Sequence, residues 1–269
     1  MIERFESWQH FVNECEKLSK GGYRHTVKGE DKWHGSLSYA GALKLARTGD
    51  ESTVASAEKL LDSLAQVDMG AEVTQWLPAQ AGAYPCVPEY LSGSPTCMRR
   101  IAPTGDISPI NIYVSTTCSA EMSAKQMQSR GVTILALLLK LQQIRPVELF
   151  LFAEMHGNTD GSYFEVIPVD SKPLSIAHAA FGLTHVGFAR RLTYTMGEAR
   201  AGFNGAWPKG YKYGDWNPKS EYNQRVAAAI GLTEQDLFIH SAHVQDKLIL
   251  DPVAWVNEQV TRYNRQEGD

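Results

Sequence analysis

The residues best placed to do chemistry sit in the run STTCS, residues 115–119, which closes a short β-rich stretch and precedes a helix start. Ser115, Thr117 and Ser119 set hydroxyls at the end of a strand, Ser241 lies at the end of a later strand, and the question is whether such oxygens could hold a divalent cation. Magnesium is a hard ion that gives up its water reluctantly, and a carboxylate or two normally makes binding worthwhile. This set supplies neutral oxygens only. Glu121 is near in sequence, but it reads as a first-turn acid facing the helix dipole. The expectation is a degenerate metal site that holds no tight divalent ion, its hydroxyls capping the helix that follows.

A second candidate lies in FNGAWPKGYKYGDWNPKSEYNQR, residues 203–225. Trp207, Tyr211, Tyr213, Trp216 and Tyr222 are interleaved with Lys209, Lys212, Lys219 and Arg225, against only Asp215 and Glu221. Aromatic faces for base stacking and cations for phosphates are what sequence-tolerant binding of single-stranded nucleic acid requires. Arg190 and Arg191 in ARRLTYT, or Arg99 and Arg100 in CMRR, could extend such a basic path. The competing reading is a long loop that packs over the sheet, its aromatics as anchors and its lysines as solvated stems.

Other reactive side chains point to less. His178 and His185 could share a helix face, while His240 and His243 lie near a strand end with Asp246 close by. A metal hydrolase wants three converging ligands and an open position, and His-x-x-His on a strand turns the two rings to opposite faces. Cys118 stands at a strand-to-helix corner, but no motif provides the base that a cysteine nucleophile needs. No GxxxxGK[ST] or GxGxxG phosphate cradle occurs. The reading is therefore non-enzymatic, with no cofactor.

The elements that must position these groups follow from periodicity and caps. The N-terminal stretch carries Phe5, Trp8, Phe11 or Val12, Cys15 and Leu18 at helical spacing, with no apolar signal core. SLSYAGALKLARTGD predicts a helix capped by Ser36 or Ser38 and stopped at Gly49, and ESTVASAEKLLDSLAQVD a second. Residues 69–110 are rich in Pro and Gly and predict an irregular segment with short extended pieces. From Ile110 the pattern becomes a strand (INIYVS), a long buried helix ending before Pro146, a hairpin (VELFLFAEMH, GNTDG, SYFEVIPVD), a long helix over residues 175–200, a short helix, a strand (DLFIHSAH) and a closing helix capped by Asp251. That order implies an α/β, Rossmann-like, mainly parallel sheet with one antiparallel edge strand. The expected division is an N-terminal helical and irregular elaboration over 1–109 and an α/β domain over 110–269. Cys15, Cys86, Cys97 and Cys118 have no zinc spacing and read as reduced thiols, with a Cys86–Cys97 bridge left open. A net charge of −4 confines any polyanion binding to a local patch. The longest apolar run, VTILALLL, is too short to span a bilayer, so the expected location is cytoplasmic.

The position of STTCS after a strand, and the hairpin that follows the next helix, resemble a von Willebrand factor A-type domain. That resemblance implies a metal loop written Asp-x-Ser-x-Ser with further ligands from neighbouring loops, where this chain has Ser115, Thr117 and Ser119, and Ser241 at the end of a later strand. The phrases WHGSLSYAGALKLARTGD, PEYLSGSPTCMRR and INIYVSTTCSAEMSAKQMQSRGVTILALLLKL are similar to a family of uncharacterised tailed-phage proteins. The further kinship this suggests is with accessory proteins of podophages that carry their own RNA polymerases. It implies single-stranded DNA and a phage polymerase or replication protein as partners, in the host cytoplasm. A protein–protein module without nucleic acid and a metal-dependent hydrolase using the His240 region are the alternative expectations.

Overall fold

The computed structural model describes residues 1–23, 26, 35–64, 76–79, 84–101, 109–118, 121–142, 146–156, 162–169, 174–200 and 221–265. Its centre is a five-stranded sheet: β1 (Ile2–Arg4), β5 (Ile110–Ser115), β6 (Val147–His156), β7 (Ser162–Val169) and β8 (Leu237–Ile239), in the order β1-β7-β6-β5-β8. β5 pairs in parallel with β6 on one side and β8 on the other, β1 pairs in parallel with β7, and only β6–β7 is antiparallel. The protein is thus a mixed α/β, Rossmann-like fold with a mainly parallel sheet. The first strand was not expected. β1 is three residues long and pairs outside β7, tied by the Phe5 amide to the Val166 carbonyl (3.0 Å) and the Phe164 amide to the Met1 carbonyl (3.0 Å).

Alternation along the strands sets the two faces. Ile112, Val114, Leu149, Leu151, Ala153 and Met155 share one face and are buried. Tyr113, Phe152 and Val166 share the other, where Val226 and Ile230 of α8 (Glu221–Ile230) cover them. On the first face lie α6 (Ile176–Thr184) and α7 (Tyr194–Arg200). Glycines let them approach closely: a Cβ on Gly182 would lie 2.2 Å from Leu151 Cδ1, and one on Gly197 2.2 Å from Met155 Sδ. α1 (Trp8–Leu18) buries Trp8, Phe11, Val12 and Cys15, as its spacing predicts. Trp8 stacks on Phe188 at 5.5 Å and donates its indole N–H to the Ala46 carbonyl (2.6 Å) of α2 (Tyr39–Thr48). Ser38 caps α2 through the Gly41 amide (3.0 Å), and Gly49 ends it at φ 78°, a conformation that suits glycine.

α3 (Glu51–Leu64) and α5 (Ala124–Leu141) complete this side. Ser123 and Gln126 form a reciprocal capping box at the start of α5, and the second half of that helix is buried nearly all round, as expected from its composition. The long helix expected over residues 175–200 is instead broken. His185 takes an extended conformation (φ −105°, ψ 114°), and a π-helical stretch, Phe188–Thr193, precedes α7. Local periodicity is continuous there, but the chain must turn to pack on Leu37, which a Cβ on Gly187 would meet at 2.8 Å.

The contact pattern divides the chain differently from the expected split at residue 109. Residues 1–64 belong with 109–269 in one compact unit, and 65–108 form the other. The smaller unit contains an antiparallel sheet, β2 (Trp76–Ala79), β4 (Met98–Ile101) and β3 (Tyr84–Pro85), with β4 in the middle, and the short helix α4 (Val87–Leu91). Among the described residues no helix is long and apolar enough to cross a membrane.

Candidate functional site

Strand order reverses around β5: α5 leads from it to β6 on one side, and β8 returns on the other. Open α/β sheets bind ligands in the crevice beyond the strand ends at such a point, and STTCS lies there. The corner is held from both sides. Thr116 gives its amide (2.8 Å) and hydroxyl (3.2 Å) to the Phe152 carbonyl of β6. Past the end of β8, the Ala242 amide donates to the Thr117 carbonyl (3.0 Å), and Cys118 bridges Ala242.

The hydroxyls face one another. Ser115 Oγ and Thr117 Oγ1 are 2.8 Å apart, and Thr117 Oγ1 donates to Ser241 Oγ at 3.0 Å. A threonine has one hydroxyl proton, so the bond between the first pair runs from Ser115 to Thr117. Ser115 Oγ also accepts the Thr117 amide at 3.3 Å. Ser115, Thr117 and Ser241 are all buried. Ser119 lies outside the described residues, and Glu121 is exposed.

The group that dominates the corner is Arg130, from the second turn of α5, only 1% exposed. Its guanidinium donates to the Ser115 carbonyl (3.2 Å) and the His240 carbonyl (2.7 Å), joining the ends of β5 and β8. Asp246 Oδ2 stands 4.0 Å from Arg130 Nε and accepts the His243 amide at 2.9 Å. Burial lowers the guanidinium to about 10, with Asp246 and then Cys118 opposing, so it stays charged at neutral pH. Arg190 adds a second cation, donating to Cys118 Sγ at 3.3 Å.

A divalent ion does not fit this donor set. The hydroxyl oxygens are neutral and engaged with each other, and a protonated guanidinium already occupies the strand-end carbonyls. Arg130 places a fixed positive charge at the ends of β5 and β8. What the corner can do chemically is lock the ends of β5 and β8, the middle of β6 and the first turns of α5 into one geometry.

One sequence expectation needs correction. Arg190 and Arg191 do not extend a basic surface path: they are 6% and 2% exposed. The π-helical stretch packs Phe188 and Leu192 into the core and turns both guanidinia inward, Arg190 to Cys118 and Arg191 Nε to the Leu37 carbonyl (2.9 Å). Arg130 was missed: it stands in the polar first half of α5, beside Gln128 and Ser129, and no local pattern marks it as buried. Trp207, Lys209, Tyr211, Lys212, Tyr213, Trp216 and Lys219 lie outside the described residues. Each histidine of the His240 region is engaged locally, His240 Nδ1 with the Ser241 carbonyl (3.1 Å) and His243 Nδ1 with the Gln245 amide (3.2 Å). Among the described residues no three His, Cys, Asp or Glu side chains gather as a metal site.

The family match decides membership across this whole arrangement, since the family's sequence profile covers residues 1–258. The chain belongs to the family described as domain of unknown function DUF7192. Its span takes in both compact units, so the DUF7192 domain includes β1, the small three-stranded sheet and the Arg130 corner alike. No curated protein and no solved structure matches the chain.

Proposed function

We propose that this DUF7192 protein is a non-enzymatic binding protein whose ligand is single-stranded DNA and whose second partner is a phage RNA polymerase or replication protein. The supporting observation is the closed corner at the topological switch point. Ser115, Thr117 and Ser241 spend their hydroxyls on one another, and Arg130 takes the carbonyls at the strand ends. A scaffold so arranged suits attachment better than turnover. The recognition chemistry then falls to residues 203–225, where Trp207, Tyr211, Tyr213 and Trp216 alternate with Lys209, Lys212 and Lys219. Arg190 and Arg191, turned inward, add nothing to the basic character of that segment. The partner assignment rests on the resemblance to phage accessory proteins.

Fluorescence anisotropy with a labelled oligonucleotide tests the reading. Each phosphate contact on a single strand contributes about 0.7 to the slope of log affinity against log salt. Replacing Lys209, Lys212 and Lys219 with Ala therefore reduces the slope by about 2 and weakens binding at low salt. Equal affinity and equal slope in the triple variant remove the segment from the account.

A second reading, a protein–protein module without nucleic acid, is favoured by α4, which exposes Val87 (60%), Tyr90 (67%) and Leu91 (77%) on one short helix. Exposed large apolar side chains grouped in this way commonly mark interaction surfaces. Wild-type protein that ignores oligonucleotides at low salt would support it.

A further inference from the structure

We propose that Cys86 and Cys97 form a reversible dithiol–disulfide pair, a modification site at the base of the α4 excursion. The register of the small sheet carries the argument. β3 and β4 pair at Tyr84↔Arg99 and Pro85↔Met98, so one further step sets Cys86 opposite Cys97. The Cys86 amide donates to the Cys97 carbonyl at 2.6 Å, which continues the ladder by that step.

Residues directly opposite in an antiparallel pair project from the same face, with Cβ atoms about 4.5–5.5 Å apart. A disulfide asks for Cβ atoms about 3.5–4.5 Å apart and Cα atoms within about 4.4–6.8 Å. Cys86 and Cys97 are a hydrogen-bonded pair, the wider of the two kinds, which leaves a gap of about 1 Å to the upper end of the disulfide range. Cys86 is also where the chain leaves the ladder for α4 (φ −84°, ψ 103°), so its thiol can approach Cys97 without disturbing a paired strand interior. Access separates this pair from the other two cysteines: Cys86 and Cys97 are partly exposed, whereas Cys15 and Cys118 are buried.

The chemistry is thiol–disulfide exchange with a small disulfide such as glutathione disulfide. One cysteine thiolate attacks a glutathione sulfur, forming a mixed disulfide and releasing one glutathione thiolate. The opposing cysteine thiolate then attacks the protein-side sulfur and expels the second glutathione. Two protein thiols are oxidised, one glutathione disulfide is reduced, and the two protons lost by the cysteines are taken up by the released glutathiones. The intramolecular second step is favoured because the partner thiol is held at high effective concentration. The resulting bond staples the base of the segment that displays Val87, Tyr90 and Leu91, and a dithiol reductant reopens it. None of this depends on what the protein binds.

The full-length protein is incubated with glutathione disulfide, blocked with iodoacetamide under denaturing conditions and cleaved after glutamate. Glu89 lies between the two cysteines, so the peptides carrying Cys86 and Cys97 stay together only through a bond between them. The expected result is that joined pair, lighter by two hydrogens than the sum of its reduced halves and separated by dithiothreitol, in protein that still elutes as the untreated species. Cys86→Ser and Cys97→Ser variants should each retain one glutathione on the remaining cysteine, as neither can complete the second step. Wild-type protein that keeps glutathione on both cysteines, leaves both reduced, or links them to Cys15, Cys118 or another chain would overturn the proposal.

Discussion

Replacing Arg130 with Met tests whether the strand-end corner is held by a built-in cation. Methionine keeps an unbranched apolar stem and removes the charge. Two charge-assisted bonds are lost, to the Ser115 carbonyl at 3.2 Å and the His240 carbonyl at 2.7 Å. Hydrogen bonds to charged groups contribute about 1.5–3 kcal/mol each. Asp246, also buried, loses its counter-ion at 4.0 Å, and stripping one partner from a buried pair costs about 3–5 kcal/mol. These terms describe overlapping parts of one loss, so the expected destabilisation is about 3–5 kcal/mol in all. The His243 amide still supports Asp246 at 2.9 Å, which places the effect toward the lower end. Adding Asp246→Asn removes the orphaned charge and should recover about 1–2 kcal/mol relative to the single variant. Urea unfolding at pH 7, followed by tryptophan fluorescence, gives the three free energies of the cycle. An Arg130→Met protein within about 0.5 kcal/mol of wild type, the range of ordinary surface changes, would refute the argument. So would a double variant whose cost equals the sum of the singles.

Two further outcomes follow from the same physics. Glu165 is fully buried on the first face of β7, and burial pushes its carboxyl well above the ordinary 4.5, with the Glu3 charge adding and Tyr163 and Arg200 opposing. The folded protein therefore keeps a proton that the unfolded chain loses, and wild-type stability falls by about 1.4 kcal/mol per pH unit above that ordinary value until the folded carboxyl ionises. Glu165→Gln abolishes this contribution, so its advantage over wild type should widen from pH 4.5 to pH 7 in urea midpoints; a pH-independent difference contradicts the assignment. Calorimetric titration with Mg²⁺ or Mn²⁺ is expected to give no micromolar binding at the strand ends, and a micromolar site abolished by Ser115→Ala would show that the hydroxyls do coordinate.

What the sequence determined is what local chemistry can write. The Ser38 cap, the glycine stop at Gly49 and the alternation in β5 each act within a few residues, so the helices and strands they define were legible along with the α/β class, whereas the cap of α5 was expected at the 115–119 hydroxyls and lies at Ser123. The hydroxyl character of the corner was legible for the same reason. The tertiary structure decided the rest. β1 is too short to carry a periodic signal and exists because β7 offers it an unpaired edge. The helix over residues 175–200 breaks because its neighbours demand close packing, although its own sequence would continue. Arg190 and Arg191 read as surface charge, yet Cys118 and Leu37, distant in sequence, receive them inside. Arg130 reads as one more polar residue in the first half of α5, but its partners come from β5, the residue after β8 and the turn before α9 (Lys247–Leu250). Whether a charge is solvated or enclosed depends on which carbonyls and carboxylates the fold brings around it, and that is a property of the assembled chain.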